Sequence, residues 1–161
     1  MEDMTNKDVE APYTAHQLHY YDGTSRRVLV RDEETPFPEG KLIVSRTDLR
    51  GIITHCNQAF VEMSGYSETE LLGQPQYILR HPDMPKAIFK DAWETVARGE
   101  KWHGYIKNLC KNGCYYWVYA TIILNMRAGN AISCTSVRRK PSRTQVDACI
   151  AYYAQLKQAE V

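Results

Sequence analysis

The sequence predicts an α+β domain. A five-stranded antiparallel sheet carries short helices over one face, with an N-terminal cap before it and a C-terminal helix behind it. Three observations predict this. Within the domain proper, strand-like apolar patterning falls in two blocks, 41–56 and 102–138. Each is broken by turns of hairpin type: Asp48-Leu49-Arg50-Gly51, Lys111-Asn112-Gly113 and Arg127-Ala128-Gly129-Asn130. Between the blocks the spacing is helical and is interrupted at Gly65, Gly73 and Gly99. Hairpins at both ends with helices between them separate a sheet from its cover, and small-molecule pockets often lie between such layers.

In chain order, residues 1–12 read as an acidic, polar and disordered tail, unlike a secretion signal. Asp22-Gly23 lies between two strand-like runs and signals a hairpin, with a short helix through 15–21 as the alternative. Residues 32–40 form a charged, proline-rich linker. The units are therefore a cap at 1–40, a domain at 41–140 and an amphipathic helix at 141–161. Strands at 42–47 and 52–56 open the domain. Asn57 stands at a helix start ahead of Phe60, Val61 and Met63. Ser67 with Glu70 is a capping box for a second short helix, and 75–80 is a third brief helical turn. A longer helix over 84–98 has Ile88, Phe89, Ala92, Trp93 and Val96 at helical spacing, with Gly99 as its stop. Strands at 102–108, 115–124 and 131–138 follow. Ser142 with Gln145 reads as a second capping box, opening a helix with the stripe Val146, Cys149, Ile150, Tyr153 and Leu156. That stripe could pack on the sheet's outer face or pair with a second subunit.

A length of 161 residues and 43% hydrophobic content suit one domain with attached ends. The net charge of +1 argues against nucleic acid or an anionic membrane as main partner. No apolar run approaches the roughly 20 residues that span a bilayer, so no membrane insertion is expected. The five cysteines have scattered spacings, and Cys110 and Cys114 lack the second pair of a zinc site, so no metal is expected. Free thiols suit a reducing cytoplasm, the expected location.

The most informative stretch is Arg80-His81-Pro82-Asp83-Met84-Pro85. Asp83 reads as the N-cap of the long helix and Pro85 as part of its first turn. Arg80 and His81 then sit on a proline-stiffened loop beside a helix N-terminus, which suits an anion or an electron-rich ligand. The plainer alternative is a helix cap and nothing more.

Residues 41–139 resemble a PAS domain, and more narrowly the FAD-binding PAS domain of bacterial aerotaxis receptors. The resemblance is carried by 47–57, Phe60, Ser64-Gly65-Tyr66, 70–75 and the whole of 80–85. Trp93, Gly99, Trp102-His103-Gly104, Lys107-Asn108, Lys111-Asn112-Gly113 and Tyr116-Trp117 continue it. It implies FAD as cofactor, held by Asn57, Arg80, His81, Asp83, Phe89, Trp93 and Asn108. Arg80 and His81 could meet pyrophosphate or ribose. Phe89 and Trp93, at i and i+4, could contact a flat ring or serve only as core. Asn57 and Asn108 could pair with the polar ring edge. Asn57 could equally be a helix cap, and Asn108 could serve only backbone groups. His55 and His103 read as structural or exposed.

The resemblance implies a redox- or oxygen-responsive sensor that acts through an unidentified protein partner, forms a homodimer and catalyses nothing. The chain ends at Val161 without the membrane and signalling segments of the aerotaxis receptors, so it is expected to be a free-standing sensor or a fragment. The alternative is a cofactor-free PAS interaction module. Haem would need an axial ligand, and His81 before a capping Asp is a poor one. The blue-light photosensor family needs an Asn-Cys-Arg setting where this chain has Gln76-Tyr77-Ile78-Leu79-Arg80. No glycine-rich phosphate loop or nucleophile motif points to an enzyme.

Overall fold

Alternation along the strands builds two layers and one closing helix. In the computed structural model, which describes residues 1–160, the N-terminal hairpin consists of β1 (Thr14–His19) and β2 (Ser25–Val30). Next come β3 (Ile43–Thr47), β4 (Ile53–Cys56), α1 (Gln58–Ser64), α2 (Glu68–Leu71) and a 3-10 turn at Gln76–Leu79. Helix α3 (Lys86–Ala97) leads to β5 (Trp102–Leu109), β6 (Tyr115–Arg127) and β7 (Asn130–Arg139), and α4 (Arg143–Gln158) ends the chain. The main sheet has the order β4-β3-β7-β6-β5, antiparallel throughout.

The inner face of the sheet presents Ile43, Tyr116, Val118, Ala120 and Cys134. They pack against Phe60, Leu71, Leu79, Ala92 and Val96 of the helical layer. The outer face is covered in two patches. Helix α4 lays Val146, Cys149, Tyr153 and Leu156 over Trp117, Tyr105 and Tyr115, and Met84 joins this cluster. The Tyr153 hydroxyl donates to the carbonyl of Tyr105. The predicted stripe is therefore engaged within the chain, except that Ile150 stays exposed.

The second patch corrects the reading of residues 1–12 as a free tail. Met4 and Val9 are buried with Val28, Leu29 and Leu109, and the Met4 N–H donates to the carbonyl of Arg27. Gly113 makes this docking possible. Its φ of +86° favours glycine, and a Cβ there would lie 2.7 Å from Val9 Cγ1. The hairpin at Asp22-Gly23 forms as predicted, and the helical alternative for 15–21 does not. Arg26 locks the hairpin to the domain by donating to the carbonyls of Glu2 and Ile78 and to the Tyr66 hydroxyl. The proline-rich stretch 32–40 is also more than a linker. Thr35 and Tyr115 are joined by a backbone hydrogen bond, as are Tyr115 and Glu33, and Phe37 enters the main core.

Local caps divide into those formed and those replaced. The Ser67–Glu70 capping box is complete, and Gly99 follows α3 with φ +81°. The N-cap position of α3 is Pro85, not Asp83. A carboxylate from far along the chain, Glu160, accepts from the Lys86 N–H at that helix start. Asp83 is drawn away by Lys107, whose Nζ donates to it at 2.9 Å. Ser142 occupies the N-cap position of α4, but its hydroxyl caps nothing. Arg143 fixes that entry instead by a two-pronged contact with Glu34.

Asn57 joins α1 to the sheet. Its Oδ1 accepts from the N–H groups of Phe60 and Val44, and its Nδ2 donates to the carbonyl of Leu42. Asn57→Ala removes the cap and both ties to the β3 region. It is expected to destabilise the fold by about 2 kcal/mol, read as a lower urea midpoint with an unchanged slope. A loss under about 0.5 kcal/mol would show that water replaces these bonds at no cost.

Candidate functional site

Between the inner face of the sheet and the helices lies a cavity of about 130 Å³. Its floor comes from alternate positions on β3, β5, β6 and β7: Thr47, Ile106, Asn108, Ile122, Cys134, Ser136 and Arg138. Its roof is Leu79 together with Phe89, Ala92 and Trp93 of α3. Gln76, Tyr77, Arg80 and Tyr21 complete the wall. Tyr21 and Trp93 also border an outer groove of about 560 Å³ with Asp22, Leu49, Arg50, Ile52 and Pro75. The two spaces meet above Gly51, where a Cβ would touch the Tyr21 hydroxyl at 3.6 Å and the Trp93 ring at 3.8 Å. The N-terminal hairpin thus supplies a wall of the mouth. Tyr20 stacks on Tyr77 at 3.9 Å between ring centroids, and the Tyr77 hydroxyl donates to Asp22.

Four of the seven predicted site residues converge here. Phe89 and Trp93 line the cavity from one face of α3, and Trp93, 41% exposed, stands at the mouth. Asn108 enters from β5. Arg80 enters from the loop, its guanidinium 4.8 Å from the centroid of the Phe89 ring. Burial lowers the pKa of Arg80 below the usual arginine range, opposed by the charge of Glu160.

The other three residues lie elsewhere. Asn57 is engaged by the backbone bonds described above. His81 and Asp83 lie on the far side of edge strand β5. A backbone bridge joins Arg80 to Asn108, and there the loop crosses the strand. His81 is 2% exposed and its Nδ1 accepts from the Asp83 N–H at 3.0 Å. Its ring meets that of Tyr115 edge-on, and its Nε2 is buried without a partner among the described residues. Burial, then the Lys107 charge, pushes its pKa down to about 3, against the pull of Asp83. His81 is therefore neutral, and its approach to Asp83 at 3.8 Å is no ion pair at pH 7. Burial tends to raise the Asp83 carboxyl, but the hydrogen bond from Lys107 brings it below the usual range. Lys107 Nζ also lies 4.2 Å from the centroid of the Tyr115 ring.

Sequence reasoning missed Arg138, Thr47, Gln76 and Tyr21. A signal for Arg138 was present: with Cys134 and Ser136 it shares the inward register of β7, and an arginine at an inward strand position is unusual. Arg138 is 3% exposed, with Nη2 donating to Ser45 Oγ and Nη1 without a partner among the described residues. Thr47 Oγ1 is unpartnered as well. Ser45 in turn donates to Gln76 Oε1. The cavity thus has an aromatic and apolar roof over a polar floor with hydrogen-bonding groups free. Those features match the chemistry of a flat conjugated ring with a polar edge, although the cavity taken alone is smaller than the roughly 300 Å³ at which small-molecule sites begin.

A five-stranded antiparallel sheet with a cavity under one helix of its cover defines a domain of PAS type. The chain matches the PAS fold family model over residues 53–138, more than half its length, and it belongs to that family. It is 42% identical to the aerotaxis receptor of Escherichia coli (strain K12) over 127 residues, which is 79% of this chain and 25% of the receptor. Among solved structures it resembles the light state of the blue-light photoreceptor Aureochrome1 LOV. The TM-score is 0.62 and the identity 18%, covering 68% of this chain and 89% of that one. A light-oxygen-voltage domain studied with a flavin analogue matches with a TM-score of 0.60 and 23% identity, over 69% of this chain and 84% of that one. The chain spans about a quarter of the length of the aerotaxis receptor.

The state of His81 has a testable consequence. Its folded pKa of about 3 lies below its ordinary 6.5, so the unfolded chain binds the proton first. The stability tied to neutral His81 is complete above about pH 6.5 and is lost as pH falls from there toward 3. His81→Phe is expected to lose less melting temperature between pH 7 and pH 4 than the parent. Parallel losses in the two proteins would contradict a neutral, buried His81.

Proposed function

We propose that this chain is a flavin-binding sensor module that holds FAD between its sheet and α3 and reports redox state or oxygen to a protein partner. The observation that supports this most is convergence. Arg80, Phe89, Trp93 and Asn108 come from a loop, a helix and a strand, yet all border one cavity. The similarity to the aerotaxis receptor supports the oxygen-related reading.

The residues divide the work. Phe89 and Trp93 offer flat apolar contact, Asn108 can both donate to and accept from a polar ring edge, and Arg80 supplies positive charge. Asn57, His81 and Asp83 act as positioning residues, the first by joining α1 to the sheet and the others by holding the loop that presents Arg80. A bound flavin supplies reversible uptake of two electrons and one proton, taken from a reduced electron carrier and passed, with a further proton, to oxygen as peroxide. The chain needs no substrate chemistry of its own. It senses the change in cavity charge through Arg80 and Asn108, and the loop across β5 carries that change to Met84 and α4.

Ile150 and Tyr152 remain exposed on α4, and they are the residues a homodimer or a signalling partner would use. The module works in the cytoplasm, consistent with five unpaired cysteines. No described helix is long and apolar enough to cross a membrane.

The test is the absorption spectrum of the purified protein, with the mass of any pigment released by heat. Flavin bands and the mass of FAD are expected. Asn108→Leu is expected to weaken FAD binding about tenfold, the effect of one buried hydrogen bond. A colourless protein that takes up no added FAD would overturn the reading.

A further inference from the structure

Two arginines, Arg80 and Arg138, border the cavity, and no aspartate or glutamate does. Burying a charge is costly unless it is paired and hydrogen-bonded. A second buried arginine shows how this chain normally meets that cost. Arg26 directs Nε, Nη1 and Nη2 at three separate acceptors. Arg138 has one acceptor, Ser45 Oγ, and the face of Phe60 at 4.9 Å from its Cζ. Its Nη1 is left unpartnered among the described residues, and none of their carboxylates pairs with it. Among the described residues, the one titratable group whose charge acts on it is the Tyr116 phenol, itself buried and raised by burial above the usual tyrosine range. Burial lowers the pKa of Arg138 to about 10, so the guanidinium stays charged at neutral pH. The floor of the cavity therefore holds a cation that lacks an anion.

We propose that Arg138 is the charge partner of the cavity's ligand, placed against its electron-rich edge and favouring the state that carries more negative charge. That the ligand is a flavin rests on the reading above. Arg138 borders the cavity but not the outer groove, so it meets the innermost part of the ligand rather than a tail leaving through the mouth. Uptake of two electrons and one proton adds one negative charge to the ring system, and a fixed cation nearby stabilises that form over the oxidised one. Arg138 thereby sets the potential at which the module switches. Through Ser45 and Gln76 it also ties that charge to β3 and to the turn before Arg80.

The experiment compares the parent with Arg138→Met, Arg138→Gln and Arg138→Lys, so that failure of one variant to fold leaves others to measure. FAD and riboflavin binding are read by fluorescence quenching, potentials by dithionite titration against a reference dye, and ligand-free melting temperatures by calorimetry. The neutral variants are expected to lose about tenfold in preference for reduced over oxidised FAD, a potential about 30 mV more negative for a two-electron couple. Lysine is expected to restore at least half of that shift. Riboflavin binding is expected to weaken in parallel with FAD binding, and ligand-free Arg138→Met to melt no lower than the parent. A shift of less than threefold in protein that binds FAD overturns the role of Arg138 and leaves the flavin reading standing. Loss of FAD binding with riboflavin binding unchanged overturns it too, because the arginine would then serve a phosphate. A parent protein that takes up no FAD overturns both.

Discussion

The crossing of edge strand β5 by the loop from Arg80 to Pro85 is the constraint on which the site depends. The backbone bridge between Arg80 and Asn108 fixes the crossing point. Arg80 falls on the cavity side of that point, and His81, Asp83 and Met84 fall on the other. The outer half is held by several contacts: the Asp83 N–H to His81 Nδ1, Lys107 Nζ to the Asp83 carboxylate, and the Lys107 N–H to Met84 Sδ. Two prolines limit the loop's alternatives. The start of α3 follows directly from the end of this loop, so the loop also sets where Phe89 and Trp93 stand over the sheet.

The same crossing joins the two faces of the sheet. Helix α4 closes over Trp117, Tyr105 and Met84 on the outside, and Glu160 beyond it reaches the Lys86 N–H at the start of α3. The charge of Glu160 also acts on Arg80. A helix with no residue in the cavity thus contacts both the loop and the helix that form it. The elements around the cavity are therefore also those beneath the surface helix. On the opposite side the N-terminal hairpin holds the mouth through Tyr20, Tyr21 and Asp22, and Arg26 ties it to Ile78 and Tyr66.

Much of the fold was legible because its signals are local. Asp22-Gly23, Lys111-Asn112-Gly113 and Ala128-Gly129 mark turns that few other residues can make, and the Ser67–Glu70 box lies within a single turn of helix. What was misread depended on distant partners. Asp83 has the chemistry of an N-cap, but Lys107, 24 positions on, competes for its carboxylate. Ser142 has the same chemistry, but Arg143 and Glu34 fix the helix entry. Residues 1–12 look disordered by composition, yet Met4 and Val9 find an apolar patch that forms only once Val28 and Leu29 of β2 meet Leu109 of β5.

The sequence by itself determined the order of elements, the turns, the inward and outward registers of the strands and the motif that marks the family. These follow from backbone preferences and from periodicity, which each segment carries alone. Only the tertiary structure decided which members of that motif face the cavity. Arg80 and His81 are adjacent in sequence, and a strand edge separates them in space. Only the tertiary structure set Arg138 at the cavity floor without an anion, since whether a buried charge is paired depends on what every neighbouring element brings to it.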